Sequence, residues 1–271
     1  MSSPPVIRRL KQNDIKLAKF LISLSLMQPL TTANNNAYFH PLTLSVWVGI
    51  SSIMMVLFKW WPSTTGPLGY WGLLWPVPAF ATMAVPILIF FEWFHRPVFE
   101  EPLQKALREE DIRDLIGYYS RSPASGFYVL EHKEKVIGIV GLDANAKLDA
   151  DAKPSKSKST ATSATASTAL IRHFFLEEQY RGAGVQADLL EYAVAQAFMA
   201  KISPQRIRIL VHDLEPYKRE ALKSTHFHPV KDWDPKDGPK EWTSGIYGWN
   251  YRWHEVTKDE WKPTIMAEDK N

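Results

Sequence analysis

The residues with the clearest chemical potential lie at Arg181-Gly182-Ala183-Gly184, where glycines let the backbone turn sharply and aim several amide protons at one point. Arg181 adds a fixed positive charge, and after Val185 closes the turn Gln186 opens a helix whose N-terminus carries a partial positive charge. A turn of this kind favours an anion, a diphosphate above all. Groups able to exchange a proton stand on either side of it. His173 and Glu177, with Glu178 beside it, precede the turn; His212 and Asp213 come after it. Each is a candidate general base, the histidines because imidazole titrates near neutrality. His226 and His228 flank Phe227, but no third ligand accompanies them, so no metal site is expected.

These residues need rigid elements to hold them. Ala169 to Leu176, with Leu170, Ile171, Phe174 and Phe175, reads as a largely buried strand. Gln186 to Ala200 repeats Ala187, Leu190, Val194 and Phe198 at helical spacing. The pattern is strand, glycine turn, helix. Arg206 to Val211 predicts another strand and Glu215 to Ser224 a short helix, with late strands over Phe227 to Val230 and Ile246 to Val256. Upstream, Gly126 to Glu131 and Lys135 to Leu142 form a hairpin around His132-Lys133-Glu134. Val6 to Leu10 predicts a first strand, Asn13-Asp14 the cap of a helix through Ile15, Leu17, Ala18, Leu21, Ile22 and Leu26, and Glu100 to Tyr119 an amphipathic helix or two.

Two uncharged stretches separate the first helix from the rest. Leu42 to Phe58 and Trp71 to Phe91 run about 17 and about 21 residues, lengths that suit a hydrocarbon core of roughly 30 Å. They predict a transmembrane hairpin over residues 39–95, with Pro62, Gly66, Pro67 and Gly69 in its turn and Trp60, Trp61, Trp71 and Trp93 near the span ends. Arg8, Arg9, Lys11, Lys16 and Lys19 precede the spans and Arg96, Lys105 and Arg108 come after them, against Lys59 alone in the turn. Both flanks are therefore expected in the cytosol. Residues 1–38 and 96–271 would then form one domain around the hairpin. Asn145 to Thr168, built from Lys, Asp, Ser, Thr and Ala, is expected to be a disordered loop.

Composition narrows the function. A net charge of +3 over 271 residues does not argue for nucleic acid, and the absence of cysteine excludes disulfides, thiolate metal sites and a cysteine nucleophile. No cleavable signal peptide is expected, because Lys16 and Lys19 interrupt the first apolar run.

The R-G-x-G turn after an apolar strand, preceded by VIRRLKQNDIKLAKFL and GFYVLEHKEKVIGIVGL, resembles the GNAT N-acetyltransferase superfamily. The hairpin between the first two helices resembles in particular its membrane-anchored enzymes of the endoplasmic reticulum, which acetylate cysteine conjugates or protein lysines. The resemblance implies an α/β (α+β) fold with a mixed, mostly antiparallel sheet flanked by helices, and acetyl-CoA as acyl donor. The acceptor would be an amine, a protein or an amphipathic small molecule, reached at the bilayer. It further implies that Arg181, Gly182, Ala183, Gly184, Val185 and Gln186 hold the diphosphate, and that a bulge near Leu176 and Glu177 aims a backbone amide at the thioester. The family's later motif, aligned on Val211 and Phe227, places Glu215, Lys218, Leu222 and His226 at its signature positions. Leucine therefore stands where a tyrosine acid is expected. Tyr217, five residues earlier and about 140° round a helix, is the other phenol available. An alternative reading is a catalytically silent scaffold or folding factor for a membrane-protein partner.

Overall fold

A computed structural model describes residues 4–65, 69–144, 168–230 and 248–261. These fall into two compact units, one formed by Met1–Leu26 with Gln104–Asn271 and the other by Met27–Leu103.

The first unit is a mixed sheet flanked by helices. Its strands are β1 (Val6–Arg9), β2 (Gly126–His132), β3 (Lys135–Asp143), β4 (Thr168–Leu176), β5 (Arg206–His212), β6 (His228–Pro229) and β7 (Tyr251–Thr257), in the order β1-β2-β3-β4-β5-β7-β6. Every pairing is antiparallel except β4 with β5. The expected architecture is therefore present. The expected loop at 145–168 lies outside the described residues apart from Thr168, which opens β4.

The helices are α1 (Ile15–Tyr38), α2 (Pro41–Leu57), α3 (Val77–Ala106), α4 (Glu110–Arg113), α5 (Leu115–Tyr119), α6 (Val185–Phe198) and α7 (Pro216–Ser224). One face of the sheet packs Ala169, Ile171, Phe174 and Leu176 against Leu189, Leu190, Ala193 and Val194 of α6. The other packs Val129, Ile139 and Phe175 against Ala18, Leu21 and Ile22 of α1 and against Ile112, Leu115 and Tyr119.

A break in register makes both faces of β4 possible. Gly141 pairs with His173 and Leu142 with Ile171, so Arg172 is an extra residue, a bulge. Side chains alternate along a strand, and one inserted residue reverses the frame. Thus Ala169 and Ile171 before the bulge share a face with Phe174 and Leu176 after it, while His173 and Phe175 turn to the opposite face. The bulge was expected near Leu176 and Glu177 but lies at Arg172: Phe174, Phe175 and Leu176 pair regularly with Val140, Ile139 and Gly138.

The second unit holds the apolar stretches. Helix α1 runs past Leu26 to Tyr38, with Pro29 inside it. The second stretch is not one helix from Trp71; a 3-10 turn at Gly69–Leu74 precedes α3. Trp47 of α2 donates its indole N–H to the Phe80 carbonyl at 3.0 Å and meets the Phe80 ring edge-on. The segment Gly69–Ala106 is long and apolar enough to cross a membrane. Large apolar side chains on α2 and α3, among them Ile53, Leu57, Ile89 and Phe90, are exposed.

Candidate active site

Strands β4 and β5 run parallel for a short distance and then part. Their pairing ends at Ile171 with Ile209, although β4 continues to Leu176 and β5 to His212. Beyond that point β4 is paired only to β3 and β5 only to β7. Backbone polar groups on facing strand edges are left for something other than the sheet to satisfy.

The glycine turn sits at the end of β4. Glu178–Ala183 forms a 3-10 turn, Gly184 adopts φ 75°, and α6 begins at Val185. That left-handed conformation suits glycine and lets the chain reverse into the helix. No side chain caps α6, so its first amide protons point out of the turn without a side-chain acceptor. At Gly182 the backbone is not left-handed and a Cβ would meet nothing within 4 Å. The fold itself does not demand glycine there.

Arg181 is held inward. Its guanidinium donates to the Leu176 carbonyl from Nε at 3.0 Å and from Nη2 at 2.8 Å, and lies 3.7 Å from the centre of the Tyr217 ring. Tyr217, on the first turn of α7, is buried, and its hydroxyl has no hydrogen-bond partner among the described residues. Burial chiefly, then the charge of Glu215, pushes its pKa well above the ordinary tyrosine value, against the opposing pull of Arg181. Tyr217 therefore keeps its proton at neutral pH. Gln186 is also buried, its side chain turned into the protein and its Oε1 without a partner among the described residues.

The structure thus brings Leu176, Arg181 and Tyr217 together beside the turn formed by Gly182, Ala183, Gly184, Val185 and Gln186. The other candidates go elsewhere. Glu177 accepts from Lys135 Nζ at 2.8 Å and from Gln179 at 3.0 Å, and its own amide donates to Ile137. His212 is buried edge-on against Tyr251, ring centres 4.4 Å apart, and burial with help from Lys218 drives its pKa down to about 3. It cannot take a proton near neutrality. Asp213 lies at a surface turn, accepting from the Asn250 amide at 3.3 Å. Leu222 is wholly inside the core.

His173 points to the face opposite α6 and donates from Nε2 to Asp111 Oδ2 at 2.8 Å. The Tyr119 hydroxyl donates to the same oxygen at 3.2 Å. Beside them Asp143 Oδ2 accepts from the Tyr118 hydroxyl at 2.7 Å and from Arg172 Nε at 2.8 Å. Asp111, Asp143, Tyr118, Tyr119 and Arg172 were not legible as site residues, since Asp111 sits in a charged run and 62 positions from its histidine.

No protein-family profile matches the chain, and no curated protein matches it either. Solved structures do. An acetyltransferase of the GNAT family from Streptococcus pneumoniae aligns at 13% identity over 94% of this chain and 99% of that one, with a TM-score of 0.42. A spermidine N-acetyltransferase from Vibrio cholerae, solved with CoA and spermine, aligns at 12% identity over 94% and 96%, TM-score 0.42. A GNAT-family acetyltransferase from Staphylococcus aureus Mu50 aligns at 13% identity over 55% and 76%, TM-score 0.37.

Proposed function

We propose that this protein is an acetyl-CoA-dependent N-acetyltransferase anchored in a membrane by the helical hairpin. The observation that carries the reading is the parting of β4 from β5 together with the uncapped glycine turn at the end of β4, beside which Arg181 bonds the Leu176 carbonyl and stacks on Tyr217. The uncapped start of α6, Gly182 and Gly184 would take the diphosphate, and the strand edges the pantetheine arm. Bound there, acetyl-CoA supplies the activated acyl group. Tyr217, a buried phenol holding its proton, would give that proton to the departing sulfur. Its place on the first turn of α7 answers the leucine found at the expected tyrosine position.

Anchoring rests on the apolar segment Gly69–Ala106 and on the exposed apolar side chains of α2 and α3. Such side chains are stable in hydrocarbon and costly in water. The cationic flanks favour a cytosolic catalytic unit, and the resemblance to anchored acetyltransferases favours the endoplasmic reticulum and an amine acceptor at the bilayer.

The buried Leu222 favours a second reading, a silent scaffold for a membrane-protein partner. Labelled acetyl transfer to lysine peptides and long-chain amines, using full-length protein in detergent, separates the two. Acetylated product that disappears in Tyr217→Phe supports the enzyme. Bound acetyl-CoA with no product from any amine supports the scaffold. Full release of the chain from membranes by alkaline carbonate would overturn the anchor.

A further inference from the structure

The acetyltransferase reading gives Arg181 a charge to offer the diphosphate and nothing more. We infer that Arg181 also selects the carrier of the acyl group, admitting thioesters borne on a nucleotide diphosphate and refusing those borne on a bare pantetheine arm; this rests on the reading above.

The selection is made at one carbonyl. The Glu177 amide donates to the Ile137 carbonyl of β3 at 2.9 Å. Within a trans peptide the C=O points opposite to the N–H, and the described residues contain no cis bond, so the Leu176 carbonyl points away from β3. On that side β4 parts from β5 after Ile171, and the carbonyl looks into the gap between the strands. A pantetheine arm lying along this edge, as an added strand would, needs such an acceptor for its amide N–H groups.

Arg181 already holds that acceptor. From five residues further along the chain, Nε and Nη2 of its guanidinium donate to the Leu176 carbonyl at 3.0 Å and 2.8 Å. A carbonyl oxygen has two lone pairs, and both are taken. The same guanidinium lies 3.7 Å from the centre of the Tyr217 ring and 5.6 Å from that of Phe175, contacts that a planar cation makes well. An arm entering along β4 cannot bond this carbonyl until the arginine leaves it.

The group able to draw Arg181 off is one that binds in its own loop. Arg181 lies in the 3-10 turn Glu178–Ala183, just ahead of Gly184 and the uncapped start of α6. A phosphate held there offers the guanidinium charged oxygens, and bonds between two ionised groups are roughly twice as strong as neutral ones. Acetyl-CoA carries that phosphate and the arm on one molecule. Its diphosphate takes Arg181, its arm takes the Leu176 carbonyl, and the face of the Tyr217 ring is uncovered. A pantetheine thioester without the nucleotide must break the same two hydrogen bonds and has nothing to replace them. Binding energy from the remote end of the donor thus opens the end where the chemistry occurs.

The test is calorimetric titration of full-length protein in detergent with acetyl-CoA and with S-acetylpantetheine, for wild type, Arg181→Met and Arg181→Lys, with thermal midpoints reporting folding. Methionine keeps an apolar stem against the Tyr217 ring and frees the carbonyl. Arg181→Met should bind acetyl-CoA at least about tenfold more weakly than wild type, and S-acetylpantetheine at least about fivefold more tightly. Lysine keeps the charge but not the fork, so Arg181→Lys should lose less affinity for acetyl-CoA and still gain affinity for S-acetylpantetheine. If Arg181→Met does not fold, Arg181→Lys decides, since misfolding cannot produce a gain in affinity. S-acetylpantetheine bound no more tightly by the folded variants than by wild type overturns the selection, as does a wild type that binds the two thioesters equally. Wild-type protein that binds neither overturns the acetyltransferase reading beneath it.

Discussion

Replacing Tyr217 by phenylalanine should stabilise the protein and disable it together. The hydroxyl is buried and has no hydrogen-bond partner among the described residues, whereas the ring is stacked 3.7 Å from the Arg181 guanidinium. An unsatisfied buried hydroxyl costs about 1–3 kcal/mol. Phenylalanine keeps the stack at a loss of about 0.5 kcal/mol. The net expectation is a gain of about 1 kcal/mol, or roughly 2–4 °C in Tm. If Tyr217 gives its proton to the departing sulfur, kcat should fall about 100-fold or more. Alkaline behaviour supplies a separate sign. The folded pKa of Tyr217 is raised, so the native state holds the proton more firmly than the unfolded chain. That stabilisation is complete below the unfolded value of about 10 and is lost as pH rises above it. Tyr217→Phe should therefore lose less stability than wild type in that window. Thermal unfolding in detergent at pH 8 and pH 11, beside single-turnover kinetics, measures all of this. A variant destabilised by more than about 1 kcal/mol would show that the hydroxyl is bonded in the folded protein, and unchanged turnover would remove Tyr217 from the chemistry.

His212 has a folded pKa depressed to about 3 by burial and Lys218, so the stability it confers is present above the unfolded value of about 6.5 and drains away as pH falls toward 3. His212→Gln should flatten that acid limb in unfolding curves measured from pH 7 to pH 3.5; an unchanged slope would mean the acid sensitivity arises elsewhere. Gly184→Ala forces a Cβ into φ 75° and should cost about 1–2 kcal/mol in denaturant unfolding, with a change under about 0.3 kcal/mol refuting the left-handed turn.

The elements around the site were legible because their signals are local. An apolar strand, a glycine turn and a 3.6-residue periodicity in succession between Ala169 and Phe198 leave few other conformations. The bulge was not legible. Leu170, Ile171, Phe174 and Phe175 are apolar on both faces of β4, so the alternation that would betray a frame change at Arg172 is absent, and only pairing with β3 reveals it. The apolar periodicity of α1 is legible only through Leu26, yet the helix continues to Tyr38. Beyond that point Asn34 donates to Glu92 at 2.5 Å and bonds His95 at 2.7 Å. Asp111 was hidden for a related reason. Inside REEDIRDL it reads as one charge on a solvated helix face, and nothing nearby announces a buried histidine on β4.

The central claim, that the turn after β4 holds the diphosphate of acetyl-CoA, is tested most directly by calorimetric titration of the full-length protein against its Gly182→Asp variant. The fold has room at Gly182 and no left-handed backbone there, so the substitution should change stability by less than about 0.5 kcal/mol. It would, however, set a carboxylate against the incoming phosphates. The account predicts micromolar binding in the wild type, weakened at least tenfold in the variant and partly recovered at high salt. Equal affinity for acetyl-CoA in two equally stable proteins would contradict it.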